Sequence, residues 1–557
     1  MVSPGTLRSQ RFYERLRARD AALWSDDPEV QIAIRDRLGW VDIHETIAAR
    51  LPELRQFAGW VGEMEFRHAV LLGMGGSSLA PEVFQRTFGD APGYPELIVL
   101  DTTDPLSIVR VENRIDIHST LFIVSSKSGT TIETVSLQRY FGERMLDASG
   151  DTGTLDSFIA ITDPETPLHI QALADSYHRV FLNPPDIGGR YSALSFFGLV
   201  PAVAIGIDVE RLLKAASNID GEEAVDFGER LATLALEGRD KVTFLPGEGL
   251  ESFGAWAEQL IAESTGKQGG GIIPIDGEPP ADTRAYGDDR VFISLKVDSQ
   301  DDDMAAALEA LKNEGHTVVR LQVPDAYGLG GEFLRWEIAT AAAGAVLGIN
   351  PFDEPNVKEA KDATAQLLEQ FQINGALPAL PATIEEDGLE VFADENTLDT
   401  LRGAPERTIG ALVAEHFLRA PDRSYLAIMA YIPRTEEHER LITRLRISLR
   451  DATHRATTLG YGPRFLHSTG QLHKGGPPIG VFLQLVMEDE IDLDIPGYDG
   501  LTFSTLKHAQ SLGDLRALVS HGRRIVRVSL GKDATANLRL LVDSVEAALR
   551  ETAERRD

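Results

Sequence analysis

Short apolar runs separated by amphipathic stretches recur along most of the chain. His68–Met74 reads as a buried strand, followed by Gly75-Gly76-Ser77-Ser78 and a helical pattern with Pro81 in its first turn. Further strands are predicted over Glu96–Asp101, Leu121–Ser125, Ser157–Thr162 and Arg179–Leu182; the one at Leu121 also runs into a hydroxyl-rich turn and a helix. Short strands alternating with helical segments predict βαβ units, hence a parallel sheet with helices on both faces. Upstream, residues 1–60 carry apolar positions at helical spacing (Leu7, Phe12, Leu16, Leu23) and predict two or three amphipathic helices.

The alternation continues far beyond one sheet. A first α/β domain is predicted over 61–238, a second over 239–372 and a third α/β unit over 406–557. The acidic stretch 373–405, with Glu385-Glu386-Asp387 and Asp394-Glu395, reads as a solvated linker or lid. Units two and three resemble one another. Val242–Leu245, Glu263-Ser-Thr-Gly266, Val291–Leu295 and Gly315–Arg320 run parallel to Tyr425–Met429, His467-Ser-Thr-Gly470, Val481–Leu485 and Gly522–Arg527. A pseudo-repeat would place Glu263 and His467 in equivalent positions facing one site; chance similarity between α/β units is the competing explanation.

Composition narrows the function classes. Across 557 residues, 86 Asp+Glu against 54 Lys+Arg give a formal net charge of −32, which argues against a broad nucleic-acid surface, since that needs clustered cations to displace phosphate counterions. A small anionic ligand stays open, because it needs only a few local donors. With no Cys, disulfides, thiolate metal sites and a Cys nucleophile are excluded, consistent with a cytoplasmic setting. The longest apolar runs, Phe196–Ile207 and Ile338–Ile349, fall short of the roughly 20 residues that a membrane span needs and read as buried core. The first 27 residues lack an apolar signal core.

Four motifs carry candidate chemistry. In Gly73-Met-Gly-Gly-Ser-Ser78, Gly76 and Ser77 offer backbone and hydroxyl donors at a helix start, although the third glycine of a dinucleotide fingerprint is absent. Ser125-Ser-Lys-Ser-Gly-Thr-Thr131 packs five hydroxyls and one ammonium into seven residues at a strand-to-helix junction. Ser126, Lys127, Ser128 and Thr131 there suit a phosphate monoester, beyond what helix capping alone requires. Arg190, on the Gly188-Gly189 turn, presents a charge that cannot titrate away, unless Asp186 pairs with it. Gln259 and Glu263 share a helix face four residues apart, and Glu263, near a helix C-terminus, sits where its proton affinity rises. Of the 54 basic residues only 11 are lysines, and Lys127, Lys267, Lys361 and Lys474 all fall in such motifs.

These motifs resemble those of the glucose-6-phosphate isomerase family, built from paired sugar-isomerase (SIS-type) domains. Gly73–Ser77 is similar to its first glycine turn, Ser126–Thr134 to its phosphate loop, Asp186–Ser192 to its first signature, Glu263–Lys267 to the segment of its catalytic base, and Asn350–Lys361 to its second signature, whose final Lys is an active-site residue. The resemblance covers about residues 65–365. Over the whole chain it is closer to the isomerase half of bifunctional transaldolase/phosphoglucose isomerase proteins, the transaldolase half being absent. It implies tandem doubly wound, flavodoxin-like SIS-type domains plus a third related α/β unit. The implied activity is interconversion of glucose 6-phosphate and fructose 6-phosphate through a cis-enediol, with no cofactor and no metal.

The resemblance implies roles for individual residues. Gly76, Ser77, Ser126, Lys127, Ser128 and Thr131 would hold the phosphate, with Gln259 and Glu354 also contacting substrate. Glu263 would be the base, Arg190 the fixed cation, and Lys361 a partner in ring opening. Three departures stand out. Glu354 replaces the usual Gln, and its charge would require pairing by Lys358 or Lys361. Ser195-Phe196 replaces Ser-Pro. The family histidine is missing from its usual place, where residues 264–350 offer only His316; Leu466-His-Ser-Thr-Gly-Gln471 resembles a pattern that carries it in short bacterial isomerases. His467, with His473 and Lys474 nearby, is therefore expected to take over, against the alternative of a structural loop histidine. Rival readings are a non-catalytic SIS-type sugar-phosphate sensor and an isomerase also accepting mannose 6-phosphate. Expected partners are a sugar phosphate and, compatibly, a second copy of the chain as homo-oligomer, with neither nucleic acid nor membrane.

Overall fold

A computed structural model of the chain describes residues 5–150, 155–298, 304–401 and 408–555. β1 (His68–Gly73), β2 (Glu96–Leu100), β3 (Thr120–Ser125), β4 (Phe158–Thr162) and β5 (Arg179–Leu182) form a parallel sheet in the order β2-β1-β3-β4-β5. The inner strands β1, β3 and β4 are buried and read as nearly continuous apolar runs, as expected of a sheet covered on both faces. The strand order reverses between β1 and β3, and Gly73 pairs with Ser125 at their carboxyl ends. The glycine turn and the hydroxyl turn therefore emerge side by side at the switch point, where open α/β sheets bind ligands.

A second parallel sheet contains β6 (Lys241–Pro246), β7 (Ile273–Ile275), β8 (Arg290–Val297) and β9 (Thr317–Val323), ordered β7-β6-β8-β9. The third contains β10 (Ile384–Glu386), β11 (Leu389–Ala393), β12 (Tyr425–Tyr431), β13 (Ala456–Tyr461), β14 (Gly480–Val486) and β15 (Arg524–Ser529), ordered β10-β11-β15-β14-β12-β13. Its parallel part, β13-β12-β14-β15, follows the strand order of the second sheet. Yet Glu263 and His467 are not equivalent. Glu263 ends the helix Phe253–Thr265 between β6 and β7, whereas His467 follows β13, one element later. The shared Ser-Thr-Gly string ends a helix in one unit and precedes one in the other.

The acidic stretch is not a linker. Asp387 and Gly388, both with positive φ (50° and 83°), turn β10 back onto β11 as a two-residue hairpin. β11 then adds antiparallel to β15, with Val391 opposite Val528. Leu389, Val391 and Ala393 point into the core while Glu390 faces out, so the charges decorate an edge ribbon whose other face is apolar. Residues 402–405 of that stretch, and 406–407 after it, lie outside the described residues. The amino-terminal region also differs from expectation, forming five α-helices and two 3-10 turns between Thr6 and Glu63. Arg11 and Arg19, at φ of 56° and 55°, break what periodicity alone joins.

The first two units share one core, in which Phe84 and Trp256 both pack edge-on to Phe333. A separate cluster joins Ala262 and Ile273 to Tyr425, Phe465 and Leu472 of the third unit. The helix bearing Glu263 is thus held from both sides. The helix Phe196–Ala204 is buried along its length, and no helix among the described residues is long and apolar enough to cross a membrane.

Candidate active site

The glycine turn after β1 is a junction of three segments. A Cβ on Gly76 would lie 2.0 Å from the Gly189 carbonyl oxygen, and one on Gly75, at φ +55°, would lie 2.9 Å from both Gln259 Nε2 and the His467 carbonyl oxygen. Only glycine lets the turns carrying Arg190 and His467 approach so closely. Ser77 is buried in this junction.

The hydroxyl turn after β3 is internally braced. Ser126 Oγ accepts from Gly129 N (3.1 Å) and donates to Thr131 Oγ1 (3.2 Å), while Ser128 Oγ lies 2.9 Å from Thr130 Oγ1. Ser128, Thr130 and Thr131 line a pocket of about 250 Å³ at the start of the helix Ile132–Ser149. Lys361, His467, Glu133 and Gln510 line the same pocket. Lys127 does not. Its ammonium pairs with Asp163 and donates to the Pro185 carbonyl at 2.7 Å, so it braces the turn against the ends of β4 and β5. Lys127 thus stands outside the lining that Ser128 and Thr131 share.

Beside this pocket lies a buried ionic cluster. Arg190, 4% exposed, donates from Nε to Ser264 Oγ (2.9 Å) and from Nη2 to the carbonyls of Pro351 (2.7 Å) and Asp353 (2.9 Å). Its Nη1 donates to Glu354 Oε2 (3.1 Å) and stands 3.5 Å from Glu263 Oε1. Asp186 takes no part, pairing with Arg19 instead. The charge of Glu354 is met by Arg190, and neither Lys358 nor Lys361, both on exposed positions, supplies that pairing. Lys267 Nζ pairs with Asp353 Oδ1 at 2.7 Å and donates to the Asn350 carbonyl at 2.9 Å. Burial, with Arg190 adding to it, pushes the Lys267 ammonium down to about 8 against the pull of Asp353.

Burial raises the proton affinity of Glu263, Glu354 adds to the rise, and Arg190 opposes it. Burial likewise pushes Glu354 up, but Arg190 and Arg37 outweigh it and hold that carboxyl below its ordinary range.

Gln259 connects the cluster to the pocket. Its Nε2 reaches Glu263 Oε2 (3.2 Å) and donates to the His467 carbonyl (2.7 Å). The loop of His467 is pinned to the first unit, since Arg464 pairs with Glu82 and with Asp101 (3.1 Å). Gln471 in the same loop accepts from Asn356 N and donates to the Gly266 carbonyl, tying together the second signature and the end of the Glu263 helix. His467 Nε2 lies 2.8 Å from Glu133 Oε1, which also accepts from Gln510 Nε2 at 2.7 Å. Burial would raise the Glu133 carboxyl, but His467 and Lys361 outweigh it and hold it below the usual range. Nε2 faces that carboxylate, which leaves Nδ1 as the ring nitrogen on the other side of the imidazole.

The candidate residues thus fall into two adjoining groups. Ser128, Thr131, Lys361 and His467 line the pocket, while Arg190, Gln259, Glu263 and Glu354 form the ionic cluster; Gly76 and Ser77 lie in the glycine turn against Gly189, and Ser126 braces the hydroxyl turn. His473 and Lys474 belong to neither. His473 is buried among Tyr425, Phe465 and Phe482, and Lys474 forms a buried pair with Asp514 at 2.6 Å. His316 packs edge-on to Phe292 and Tyr286, away from the pocket lining. Glu133 and Gln510 escaped the sequence reading. An acidic residue in the first turn of a helix after a hydroxyl loop is an ordinary capping pattern, and nothing local links it to residue 510. Among the described residues no three His, Asp or Glu side chains converge so as to hold a metal ion.

A family model described as phosphoglucose isomerase matches residues 41–230. The glucose-6-phosphate isomerase of Rubrobacter xylanophilus is 30% identical over 405 residues, which take in 63% of this chain and 91% of that protein. That of Campylobacter jejuni is 27% identical over 374 residues, 58% of this chain and 90% of that protein. A solved structure of a glucose-6-phosphate isomerase from Chlamydia trachomatis shares the fold at 19% identity and a TM-score of 0.51, over 66% of this chain and 85% of that one. A hypothetical protein from Thermus thermophilus does so at 24% identity and 0.54, over 66% and 96%.

Proposed function

The chain belongs to the glucose-6-phosphate isomerase family, and from that premise we propose that its pocket and ionic cluster together interconvert glucose 6-phosphate and fructose 6-phosphate through a cis-enediol. The hydroxyls of Ser128 and Thr131, on the turn braced by Ser126, hold the phosphate and so orient the remote carbon centre. His467 Nδ1, with Lys361 beside it, moves a proton from the anomeric hydroxyl to the ring oxygen as the C1–O5 bond breaks. Glu263 then removes the C2 proton. The C2–H electron pair forms the C1–C2 double bond as the C1=O π pair moves onto O1, which takes a proton from water to give the enediol. Returning the proton to C1, with loss of the O2 proton, yields the ketose.

Negative charge grows on oxygen as the C2 proton leaves, and Arg190 is the preorganised cation beside it. The observation that carries this reading is Glu263 Oε1 at 3.5 Å from Arg190 Nη1, one glutamine away from a His467–Glu133 pair that opens on a hydroxyl-lined pocket. A sensor that merely binds sugar phosphate has no use for a buried carboxylate set beside a fixed guanidinium next to the pocket. The test is formation of glucose 6-phosphate from fructose 6-phosphate by the purified chain, coupled to a dehydrogenase. Turnover within the usual enzymatic range of about 1–10³ per second is expected, and absence of turnover with a folded protein would overturn the reading.

A further inference from the structure

Arg190 does not serve Glu263 alone. Its Nη1 lies between two carboxylates, 3.1 Å from Glu354 and 3.5 Å from Glu263. The remaining guanidinium contacts, to Ser264, Pro351 and Asp353, fix its plane, so it cannot rotate to satisfy either acid fully. Glu354 occupies the N-cap position of the helix Pro355–Asn374, yet its side chain makes no capping bond and is directed to Arg190. The two acids also differ in freedom: the Glu354 side chain is 37% exposed against 10% for Glu263.

Resting on the isomerase reading, we infer that Glu354 is a positioning residue for the proton transfer, acting through Arg190 to keep Glu263 a free base rather than half of a closed ion pair. A lone carboxylate beside a buried guanidinium is held as its counter-ion and is a poor base. With Glu354 already on Nη1, that pairing is shared, and repulsion between the acids raises the proton affinity of Glu263 further. The other charges near Glu263 are committed elsewhere, Lys267 to Asp353 and His467 to Glu133. On the other side Arg37 faces Glu354 and contributes to holding it ionised.

The sign follows from the charge. Glu354→Gln keeps the shape and an acceptor for Nη1 but removes the repulsion, so Glu263 loses its proton at lower pH. The acid limb of kcat/KM for fructose 6-phosphate is expected to move down by about one pH unit, the size of a screened interaction between charges sharing one bridging nitrogen. Glu354→Asp, which keeps the charge, is expected to leave the limb near its wild-type position, and Glu354→Ala provides a second uncharged variant should Gln not fold. Acid limbs of folded Gln or Ala variants that coincide with wild type would overturn the inference. Carbon-13 titration of glutamate-labelled protein, with Glu263→Gln identifying the Glu263 signal, measures the same shift without turnover. If the wild-type chain isomerises no sugar phosphate, the enzymatic reading falls, and the titration still decides whether Glu354 sets Glu263.

Discussion

Glu133→Gln keeps the shape beside His467 and removes the charge. In the protein, Glu133 Oε1 receives His467 Nε2 at 2.8 Å and Gln510 Nε2 at 2.7 Å, on a side chain only 4% exposed. On the proposed mechanism His467 takes a proton from the sugar, and the imidazolium then faces a full carboxylate across one hydrogen bond; in the variant it faces a neutral amide. Hydrogen bonds to charged groups contribute about 1.5–3 kcal/mol against about 1 for neutral pairs. The loss is therefore about 1–2 kcal/mol wherever His467 is charged, or roughly a 5- to 30-fold fall in kcat. KM is expected to change much less, since the hydroxyls of Ser128 and Thr131 are untouched. The assay is coupled turnover of fructose 6-phosphate by Glu133→Gln, His467→Ala and the double variant. Both changes act through one bond, so the double variant is expected to be no slower than His467→Ala. A kcat within twofold of wild type in folded Glu133→Gln protein, or losses that multiply in the double variant, would refute the reasoning.

Other perturbations separate structural from chemical roles. Gly76→Ala drives a methyl into the Gly189 carbonyl and shifts the turn that carries Arg190; thermal melts and turnover are expected to show about 1–3 kcal/mol of lost stability and at least about a tenfold fall in kcat. Lys474→Met leaves Asp514 buried without its cation, which costs about 3–5 kcal/mol and lowers the urea midpoint, while kcat per folded molecule is unchanged. A lowered kcat without lost stability would return Lys474 to the chemistry. Glu263→Gln is expected to melt higher than wild type, by a margin that widens as pH rises. The folded state raises the proton affinity of Glu263, so wild type loses stability as pH climbs from the unfolded carboxyl range through the folded one, and the variant does not. Melting curves at pH 5 and pH 8 compare the two, and an equal margin at both would contradict the raised proton affinity.

What the sequence made legible was local. The strands around Leu71 and Ile123 follow from their apolar runs, and the turns after them from glycine and hydroxyl content; their adjacency follows from the parallel sheet in which Gly73 pairs with Ser125. Arg190, Glu263 and His467 stand out as candidates because each sits in a short motif. Charge partners were not. Lys127 reads as a phosphate ligand until β4 brings Asp163 beside it, and Glu133 meets a glutamine 377 positions away. Counting acids over 373–405 hid an alternation, Leu389-Glu-Val-Phe-Ala393 after Asp387-Gly388, that is itself a hairpin signal. The similarity of Glu263-Ser-Thr-Gly266 to His467-Ser-Thr-Gly470 suggested the right meeting for the wrong reason, because the two strings occupy different steps of their units yet converge across Gln259.

The central claim is that Glu263 carries a proton between C1 and C2 of the open sugar. It is tested most directly by isomerising fructose 6-phosphate in D₂O and locating deuterium in the glucose 6-phosphate formed. A carboxyl that exchanges with solvent during the enediol's lifetime is expected to place deuterium at C2. Glu263→Gln is expected to abolish both the label and, within about a thousandfold, the turnover. Glucose 6-phosphate formed without deuterium at C2, at a rate that survives Glu263→Gln, would contradict the claim.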